Sequence, residues 1–161
     1  MRYTVKNFIK EKHIFDDIKN LLMSEKFPYF YYNYITHASD QKHFFFCHVL
    51  YRDGESKSPF FNQILMPLLG RLDFNYLHRA KVNLYTQCSE PLIAPAHSDI
   101  PIPHRVALFS INNNNGYTLF EDGTKISSVE NECIVFDGKL KHSSVSQTNE
   151  KIRININLNL S

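Results

Sequence analysis

The chain reads Ala96-His97-Ser98-Asp99, then Lys141-His142-Ser143, then Ile152-Arg153-Ile154-Asn155. His97 and Asp99 are two residues apart, so on an extended strand both side chains leave the same face, about 7 Å apart. His142 comes well after Asp99, with enough chain between them for several strands to return beside the first. Two imidazoles and one carboxylate on one side of an ion form the facial triad typical of non-haem Fe(II). We therefore predict that these three residues bind a catalytic metal.

The end of the chain predicts a strand with one apolar face. Its apolar positions alternate with one arginine and three asparagines, namely Ile152, Ile154, Ile156, Leu158 and Leu160 against Arg153, Asn155, Asn157 and Asn159. An arginine on the polar face could hold a dicarboxylate through a bidentate pair. Parity also places Lys81, Asn83 and Tyr85 on one face of an earlier strand. If the interior holds a small polar cosubstrate, these faces should point inward.

From Arg79 onward, short β-prone runs alternate with turns that contain asparagine, aspartate and glycine. We count eight predicted strands: Arg79–Thr86, Ala96–Ile100, Arg105–Ile111, Tyr117–Glu121, Lys125–Val129, Cys133–Phe136, His142–Gln147 and Lys151–Leu160. Eight short strands with frequent turns predict a mainly β fold, a double-stranded β-helix of the jelly-roll or cupin type.

The first 77 residues predict helices and aromatic strands that back this core. The elements are an amphipathic helix over Ile14–Met23, strands over Phe27–Ile35 and His43–Tyr51 joined by the loop Thr36–Lys42, and a helix that begins at Ser58-Pro59 and ends near Gly70. Pro67 predicts a kink or a break in the second helix. The aromatic side chains either fill the core or, in part, overhang the metal as a substrate pocket.

Bulk properties favour a single domain over residues 1–161, with the catalytic core at 78–161. A net charge of +2 is too small to argue for a nucleic-acid partner. Three widely spaced cysteines make a disulfide framework improbable. The sequence has neither a signal-peptide pattern nor an apolar run of membrane-spanning length. We therefore expect a cytoplasmic protein without a membrane partner, in the host cytoplasm if the chain is viral.

The segment from Arg79 to Ser161 resembles the catalytic core of the Fe(II)- and 2-oxoglutarate-dependent dioxygenases. It is most similar to small prolyl-4-hydroxylase-type members, including those carried by phages. The family's H-x-D motif and distal histidine fall on His97, Asp99 and His142, and its 2-oxoglutarate-binding arginine falls on Arg153. Two further pieces, Asn83-Leu84-Tyr85 and Arg153-Ile154-Asn155, have the N-x-Y and R-x-N forms of some branches, and Gly116–Phe120 resembles the G-x-T-x-F piece of the hydroxylases.

The resemblance implies an enzyme that uses Fe(II), 2-oxoglutarate and O₂ to hydroxylate a C–H bond, with succinate and CO₂ as products. Its substrate would be a peptidyl side chain such as proline, or a small molecule, and ascorbate is a further cofactor candidate. Arg153 would bind the distal carboxylate of 2-oxoglutarate, while Tyr85, Asn83 and Asn155 would make further cosubstrate contacts. Each asparagine could instead satisfy backbone groups in the barrel.

Two other functions stay open. A nucleic-acid demethylase of the same superfamily is supported by N-x-Y and R-x-N, but the weak net charge and the lack of an evident basic lid oppose it. A cupin-like protein could also bind a metal without turnover.

The other histidines are weaker candidates for metal ligands. His104 follows two prolines, Pro101 and Pro103, that make a rigid loop, which favours a loop residue or substrate contact over a ligand. The remaining histidines have no partner at ligand spacing and are expected to be structural, with His48 the best candidate to face a pocket: His13, His37, His43, His48 and His78.

Overall fold

The computed structural model describes residues 1–36 and 42–161. The elements within them are β1 (Arg2–Val5), α1 (Lys12–Leu22), β2 (Phe30–Tyr32), β3 (Phe45–Arg52), β4 (Glu55–Ser56), α2 (Phe61–Leu69), β5 (Leu77–Thr86), β6 (Arg105–Ser110), β7 (Tyr117–Phe120), β8 (Lys125–Ser127), β9 (Cys133–Asp137), β10 (His142–Val145) and β11 (Ile152–Leu160). The predicted loop Thr36–Lys42 and the prediction for His37 fall almost wholly outside the described residues.

Two antiparallel sheets form the molecule. The larger sheet has the order β1-β9-β6-β11-β5-β3-β2, with β4 paired to β3, and the smaller has the order β10-β7-β8. Apolar side chains of β6 and β9 pack against Phe120 of the smaller sheet, so the two sheets face each other. This mainly β architecture confirms the predicted jelly-roll class.

Strand β11 lies in the middle of the larger sheet, paired with β5 on one side and β6 on the other. Its even-numbered residues, Ile154 to Leu160, belong to the main hydrophobic core together with Ile18 and Leu22 of α1 and Leu65 and Leu68 of α2. Its odd-numbered side chains consequently leave the opposite face, toward the smaller sheet. The alternation predicted from the sequence is therefore confirmed, and both faces of this strand are buried.

The predicted strand over Ala96–Ile100 was wrong, so the core after Arg79 has seven strands rather than eight among the described residues. This segment makes only an isolated antiparallel bridge between His97 and His142. Pro95 and Pro101 flank it, and proline cannot donate to a strand ladder, which limits the pairing to a single step. Strand β1, which the sequence did not predict, instead extends the larger sheet beside β9.

The first half of the chain differs from expectation in three details. Helix α2 is one continuous helix through Pro67, so the predicted break at this proline was wrong. The proline lies in the last turn, where it removes a single backbone hydrogen bond. Ser58 does not cap it: the helix begins at Phe61, and the Ser58 hydroxyl accepts a hydrogen bond from the Phe60 amide in the preceding turn. The first aromatic strand is confined to Phe30–Tyr32, at the exposed edge of the larger sheet.

The three cysteines are free thiols, as expected, with Cys47 and Cys133 buried. Among the described residues, neither helix has the length and apolar character needed to cross a bilayer.

Candidate active site

The isolated bridge between His97 and His142 brings the predicted triad together. Each of these two residues donates its backbone N–H to the carbonyl of the other at 3.0 Å, and the two imidazole ring centres lie 4.7 Å apart. Asp99 follows two residues later, and one potential ligand atom from each of His97, Asp99 and His142 lies within 4.8 Å of the other two. The predicted triad is thus assembled around one point, although its first two members lie outside a regular strand.

Hydrogen bonds to the main chain orient both imidazoles. Nδ1 of His97 lies 3.2 Å from the Pro95 carbonyl, and Nδ1 of His142 lies 3.2 Å from the Leu140 carbonyl. A carbonyl oxygen only accepts, so each Nδ1 carries the proton and each Nε2 keeps its lone pair. An outer hydrogen bond of this kind is the usual companion of a metal-binding histidine.

The Asp99 carboxylate is almost fully buried, with 3% of its side chain exposed. Its Oδ1 accepts from the Arg79 guanidinium at 3.2 Å, and its Oδ2 accepts from the side-chain amides of Asn157 at 3.1 Å and Asn159 at 3.2 Å. Burial by itself would raise the pKa of Asp99. Electrostatic interactions with Lys81, His142 and Arg79, together with the hydrogen bond from Asn157, outweigh that effect and hold this pKa well below its usual range. Asp99 is therefore an anion at neutral pH.

His97, on the irregular segment, also has surroundings that favour its neutral form. Burial and the proximity of His142 lower the pKa of His97, against the opposing effect of Asp99. A neutral imidazole is the form that binds metal ions.

Arg153 lies buried on β11, with 2% of its surface exposed, and its guanidinium faces the Tyr85 ring at 5.4 Å. One terminal nitrogen donates to the Ser144 hydroxyl at 3.1 Å and to the Val145 carbonyl at 2.8 Å. Its Nε is buried and has no hydrogen-bond partner among the described residues, so part of the guanidinium can still donate to an anion. Burial raises the pKa of Tyr85 to about 12, against the opposing charge of Arg153, which keeps the phenol protonated as a donor.

Asn83 and Asn155 are cross-strand partners on β5 and β11, and the Asn83 amide donates to the Asn155 carbonyl oxygen at 2.9 Å. In this contact the two side chains bond each other and not the backbone groups that were the alternative partners. Asn83 Oδ1 is buried and has no partner.

One cavity connects all the predicted site residues. Its lining includes His97, Asp99, His142, Arg153, Tyr85, Asn83 and Asn155. The cavity volume is about 40 Å³, which is room for an ion with a few water molecules. A second small cavity shares Ile35, Tyr85 and Ser144 with it and continues toward Phe44 and Leu92.

Sequence reasoning missed several residues of this site. Arg79, Asn157 and Asn159 hold Asp99, and Ser144 holds Arg153. Lys81, which the parity of β5 placed on the inward face, lines the cavity. The available signal was the two-residue period, because Arg79 and Lys81 share the face of Asn83 on β5, and Asn157 and Asn159 share the face of Arg153 on β11. Burial and the charge of Arg79 lower the pKa of Lys81, while Asp99 raises it.

The other described histidines lie outside the cavity. His48 is buried between aromatic rings, and its two ring nitrogens bond the Pro28 carbonyl at 2.7 Å and the Ser58 hydroxyl at 2.8 Å. It therefore has the structural role expected of these histidines, although it was the best candidate among them to face a pocket. His104 is a buried loop residue whose Nδ1 bonds the Ile102 carbonyl at 2.7 Å. His13 is exposed, and His78 contacts the Ser161 hydroxyl at 2.9 Å.

Comparison with known proteins identifies the fold. No protein-family model matches the chain, and no curated protein matches it. An oxidoreductase of the 2OG-Fe(II) oxygenase family from Burkholderia pseudomallei aligns with a TM-score of 0.70 at 12% identity, covering 99% of this chain and 85% of that one. A hydroxylase from Trichoplax adhaerens, solved as a prolyl hydroxylase with a hypoxia-inducible-factor peptide, aligns at 0.66 and 15%, covering 99% and 82%. The viral collagen prolyl hydroxylase of Paramecium bursaria Chlorella virus-1 aligns at 0.61 and 14%, covering 98% and 94%.

The chain therefore has the fold of the Fe(II)- and 2-oxoglutarate-dependent oxygenases. At these identities the likeness concerns the fold, and the chemistry depends on the residues of the cavity.

Proposed function

We propose that this protein is an Fe(II)- and 2-oxoglutarate-dependent oxygenase that hydroxylates a C–H bond. The observation that carries the proposal is the convergence of three ligand atoms within 4.8 Å in a cavity that also contains the buried Arg153. Two neutral imidazoles and a carboxylate are the donor set that suits non-haem Fe(II) and leaves coordination positions open.

The residues present fit the metal. Both Nε2 atoms keep their lone pairs because the Nδ1 protons point to carbonyl oxygens, and Asp99 stays ionised in its cationic surroundings. A bound Fe(II) with 2-oxoglutarate and O₂ supplies the oxidation of the substrate C–H bond, releasing succinate and CO₂. The chain would bind these groups, orient them and exclude water.

The residues also fit the cosubstrate. The unpartnered Nε of Arg153 is suited to the distal carboxylate of 2-oxoglutarate, with the protonated phenol of Tyr85 as a second donor and Asn83 and Asn155 next along the strands. A five-carbon dicarboxylate is larger than the space present, so its binding requires lining side chains to move. Ascorbate is a candidate reductant, which the succinate assay tests by its addition and omission.

A peptidyl side chain or a small molecule is the proposed primary substrate. Two structural neighbours are a collagen prolyl hydroxylase and a prolyl hydroxylase with a bound peptide, which supports a peptide as the first class to test. A net charge of +2 gives little support for a nucleic-acid substrate. The proposed location is the cytoplasm, where reduced thiols and Fe(II) are maintained.

Succinate formation from 2-oxoglutarate tests the proposal. The Fe(II)-loaded protein is assayed under air, first alone and then with proline-rich peptides, with and without ascorbate. We expect His97→Ala and Asp99→Ala to abolish turnover with an unchanged circular dichroism spectrum, while the exposed control His13→Ala keeps it.

Full activity in His97→Ala would refute the assignment of the metal site. Metal binding without succinate under any condition would favour the non-catalytic cupin-like alternative. Turnover that responds only to a methylated oligonucleotide, with a steep salt dependence, would favour the demethylase.

A further inference from the structure

The larger sheet ends at β2 in an uncharged aromatic edge. Strand β2 pairs with β3 on one side, and no described strand pairs with its other side, so the outward backbone groups of Phe30–Tyr32 are open to a further strand. All three residues are exposed, and the sequence over Phe27–Ile35 contains no Asp, Glu, Lys or Arg. Edge strands normally carry a charge, a proline or a bulge that prevents pairing, and Phe30–Tyr32 has none of them.

The opposite edge of the same sheet is protected by charge. Strand β1 begins at Arg2, whose guanidinium donates to Asp122 at 3.0 Å and to Thr124 at 2.8 Å, and Lys6 directly follows the strand. A cation at each end disfavours pairing with a further strand. The two edges therefore differ, and β2 is the edge suited to association.

Three aromatic rings, those of Tyr31, Phe44 and Phe46, form an edge cluster beside β2. Tyr31 pairs with Phe46 across the two strands, and the three ring centres lie between 5.9 and 6.2 Å from one another. Tyr31 is 63% exposed and Phe44 is 47% exposed. Aromatic rings that contact one another and are still open to solvent are typical of an interaction surface.

The edge cluster faces away from the metal cavity. Phe46 pairs with Leu84 of β5, which packs on the main hydrophobic core. The adjacent residues of the two strands, Phe45 and Tyr85, point to the opposite face, where their rings stack and line the cavity. A substrate residue bound at the edge cluster would thus lie on the far side of the sheet from the metal. The cluster is suited instead to a protein partner that leaves the cavity open.

A second copy of this chain fits this surface. An uncharged patch has nothing that selects an acidic or a basic partner, whereas an identical uncharged patch matches it. Antiparallel pairing of two β2 strands about a two-fold axis at Tyr31 places Phe30 opposite Tyr32 of the partner subunit. Such an axis keeps corresponding faces on the same side of the joined sheet, so the two edge clusters meet.

The exposed area is that of a reversible dimer. Phe30 is 59% exposed and Tyr32 is 39% exposed, in addition to Tyr31 and Phe44. With about 200 Å² for a fully exposed aromatic side chain, these four residues present about 400 Å² per subunit and about 800 Å² in a symmetric pair. Backbone pairing adds to this area, which still belongs to the lower end of the range for specific interfaces. We therefore expect a dissociation constant in the micromolar range.

We propose that this protein forms a symmetric dimer in which two β2 strands pair edge to edge and join the two eight-stranded sheets into one. The inference is independent of the proposed function, because the pairing residues lie outside the metal and cosubstrate sites.

Sedimentation velocity over a concentration series from low micromolar to near-millimolar tests this inference. The unmodified protein should change from monomer to dimer as the concentration rises. Tyr31→Glu places two like charges opposite each other at the axis and should stay monomeric throughout, as should Phe44→Glu. The matched control Tyr3→Glu changes an exposed tyrosine of the protected edge strand and should dimerise like the unmodified protein.

A cross-link tests the position of the axis. Directly opposite residues of an antiparallel pair are close enough for a disulfide, so Tyr31→Cys should give a covalent dimer under a mild oxidant. The variant is made together with Cys88→Ser, which removes the partly exposed thiol. Tyr3→Cys in the same background should remain uncross-linked.

A protein that stays monomeric over the whole series would overturn the inference, as would a dimer that Tyr3→Glu abolishes. If circular dichroism shows that Tyr31→Glu is unfolded, the other two variants decide, and a dimeric Phe44→Glu or an uncross-linked Tyr31→Cys would overturn it. Succinate formation per subunit should be the same in Tyr31→Glu and the unmodified protein. An unmodified monomer that needs Tyr31 for activity on a peptide would place the substrate at the edge cluster and likewise overturn the dimer.

Discussion

Asn157→Leu is the substitution that tests most directly how the chain orients Asp99 in the proposed metal site. The Asn157 amide donates to Asp99 Oδ2 at 3.1 Å, and both side chains are more than nine-tenths buried. Leucine keeps the branched shape of asparagine, with two methyl groups in place of the amide oxygen and nitrogen, but cannot donate. Loss of one hydrogen bond to a buried anion costs about 1.5–3 kcal/mol, a factor of roughly 10 to 100 in equilibrium terms.

That free energy should appear as weaker metal binding. The Asp99 pKa should rise, because the charged form loses a donor, and the carboxylate should be less well oriented. We expect the affinity for Mn(II) at pH 7 to fall about 10- to 100-fold, measured by calorimetry or by the paramagnetic effect on water relaxation.

Asn155→Leu is the matched control, since Asn155 lies on the same face of β11 but bonds Asn83 instead of Asp99. Its Mn(II) affinity should stay within about twofold of the unmodified protein, although its fold is perturbed to a similar extent. An unchanged affinity in Asn157→Leu, or an equal loss in Asn155→Leu, would show that the amide does not tune the metal site.

Three further substitutions test other residues of the site and of the core. Arg153→Met should raise the 2-oxoglutarate concentration needed for half-maximal succinate formation by at least about 10-fold while leaving Mn(II) affinity unchanged; an unaltered requirement would exclude Arg153 as the anion-binding group. Asp99 has a lowered pKa in the folded chain, so its contribution to the stability of the metal-free protein is present above its ordinary pKa near 4 and is lost as the pH falls further. Asp99→Asn should therefore flatten the acidic part of a plot of the free energy of urea unfolding against pH. An identical plot for the two proteins would contradict the argument. Ile156→Ala, at a fully buried position of the main core, should lower the free energy of unfolding by about 2–5 kcal/mol, and a loss below about 1 kcal/mol would mean that the core closes around the smaller side chain.

The residues that could be predicted from the sequence are those for which local periodicity and tertiary position agree. On β11 the alternation of apolar and polar residues corresponds directly to the two buried faces, so the face shared by Arg153 and Asn155 was predicted correctly. These two residues pair with Tyr85 and Asn83 on β5. The same pattern could not reveal that Asn157 and Asn159 bind Asp99. A polar residue on a strand looks identical in the sequence whether it faces solvent or a buried carboxylate.

Other features depend on contacts between distant parts of the chain. Strand β1 is mostly exposed and pairs with β9, more than a hundred residues away, so its four residues carry no local signal of their own. His48 was the best candidate to face a pocket among the histidines expected to be structural, but its ring is fixed by Pro28 and Ser58, which precede and follow it in separate loops. Ala96–Ile100 was predicted as a strand from the spacing of His97 and Asp99, yet the flanking prolines limit its pairing to one bridge.

This last difference bears on how the site is held in place. His97 and Asp99 lie on a segment with a single backbone bridge, and a segment with so few ladder bonds cannot fix two ligands by pairing alone. The side chain of Asp99 supplies the missing connection, since it is bonded to Arg79 on β5 and to two asparagines on β11, in the centre of the larger sheet. The rigid sheet therefore positions the irregular segment through the very carboxylate that would bind the metal. Arg79, Asn157 and Asn159 thus orient the carboxylate and favour its charged form through contacts within the chain itself.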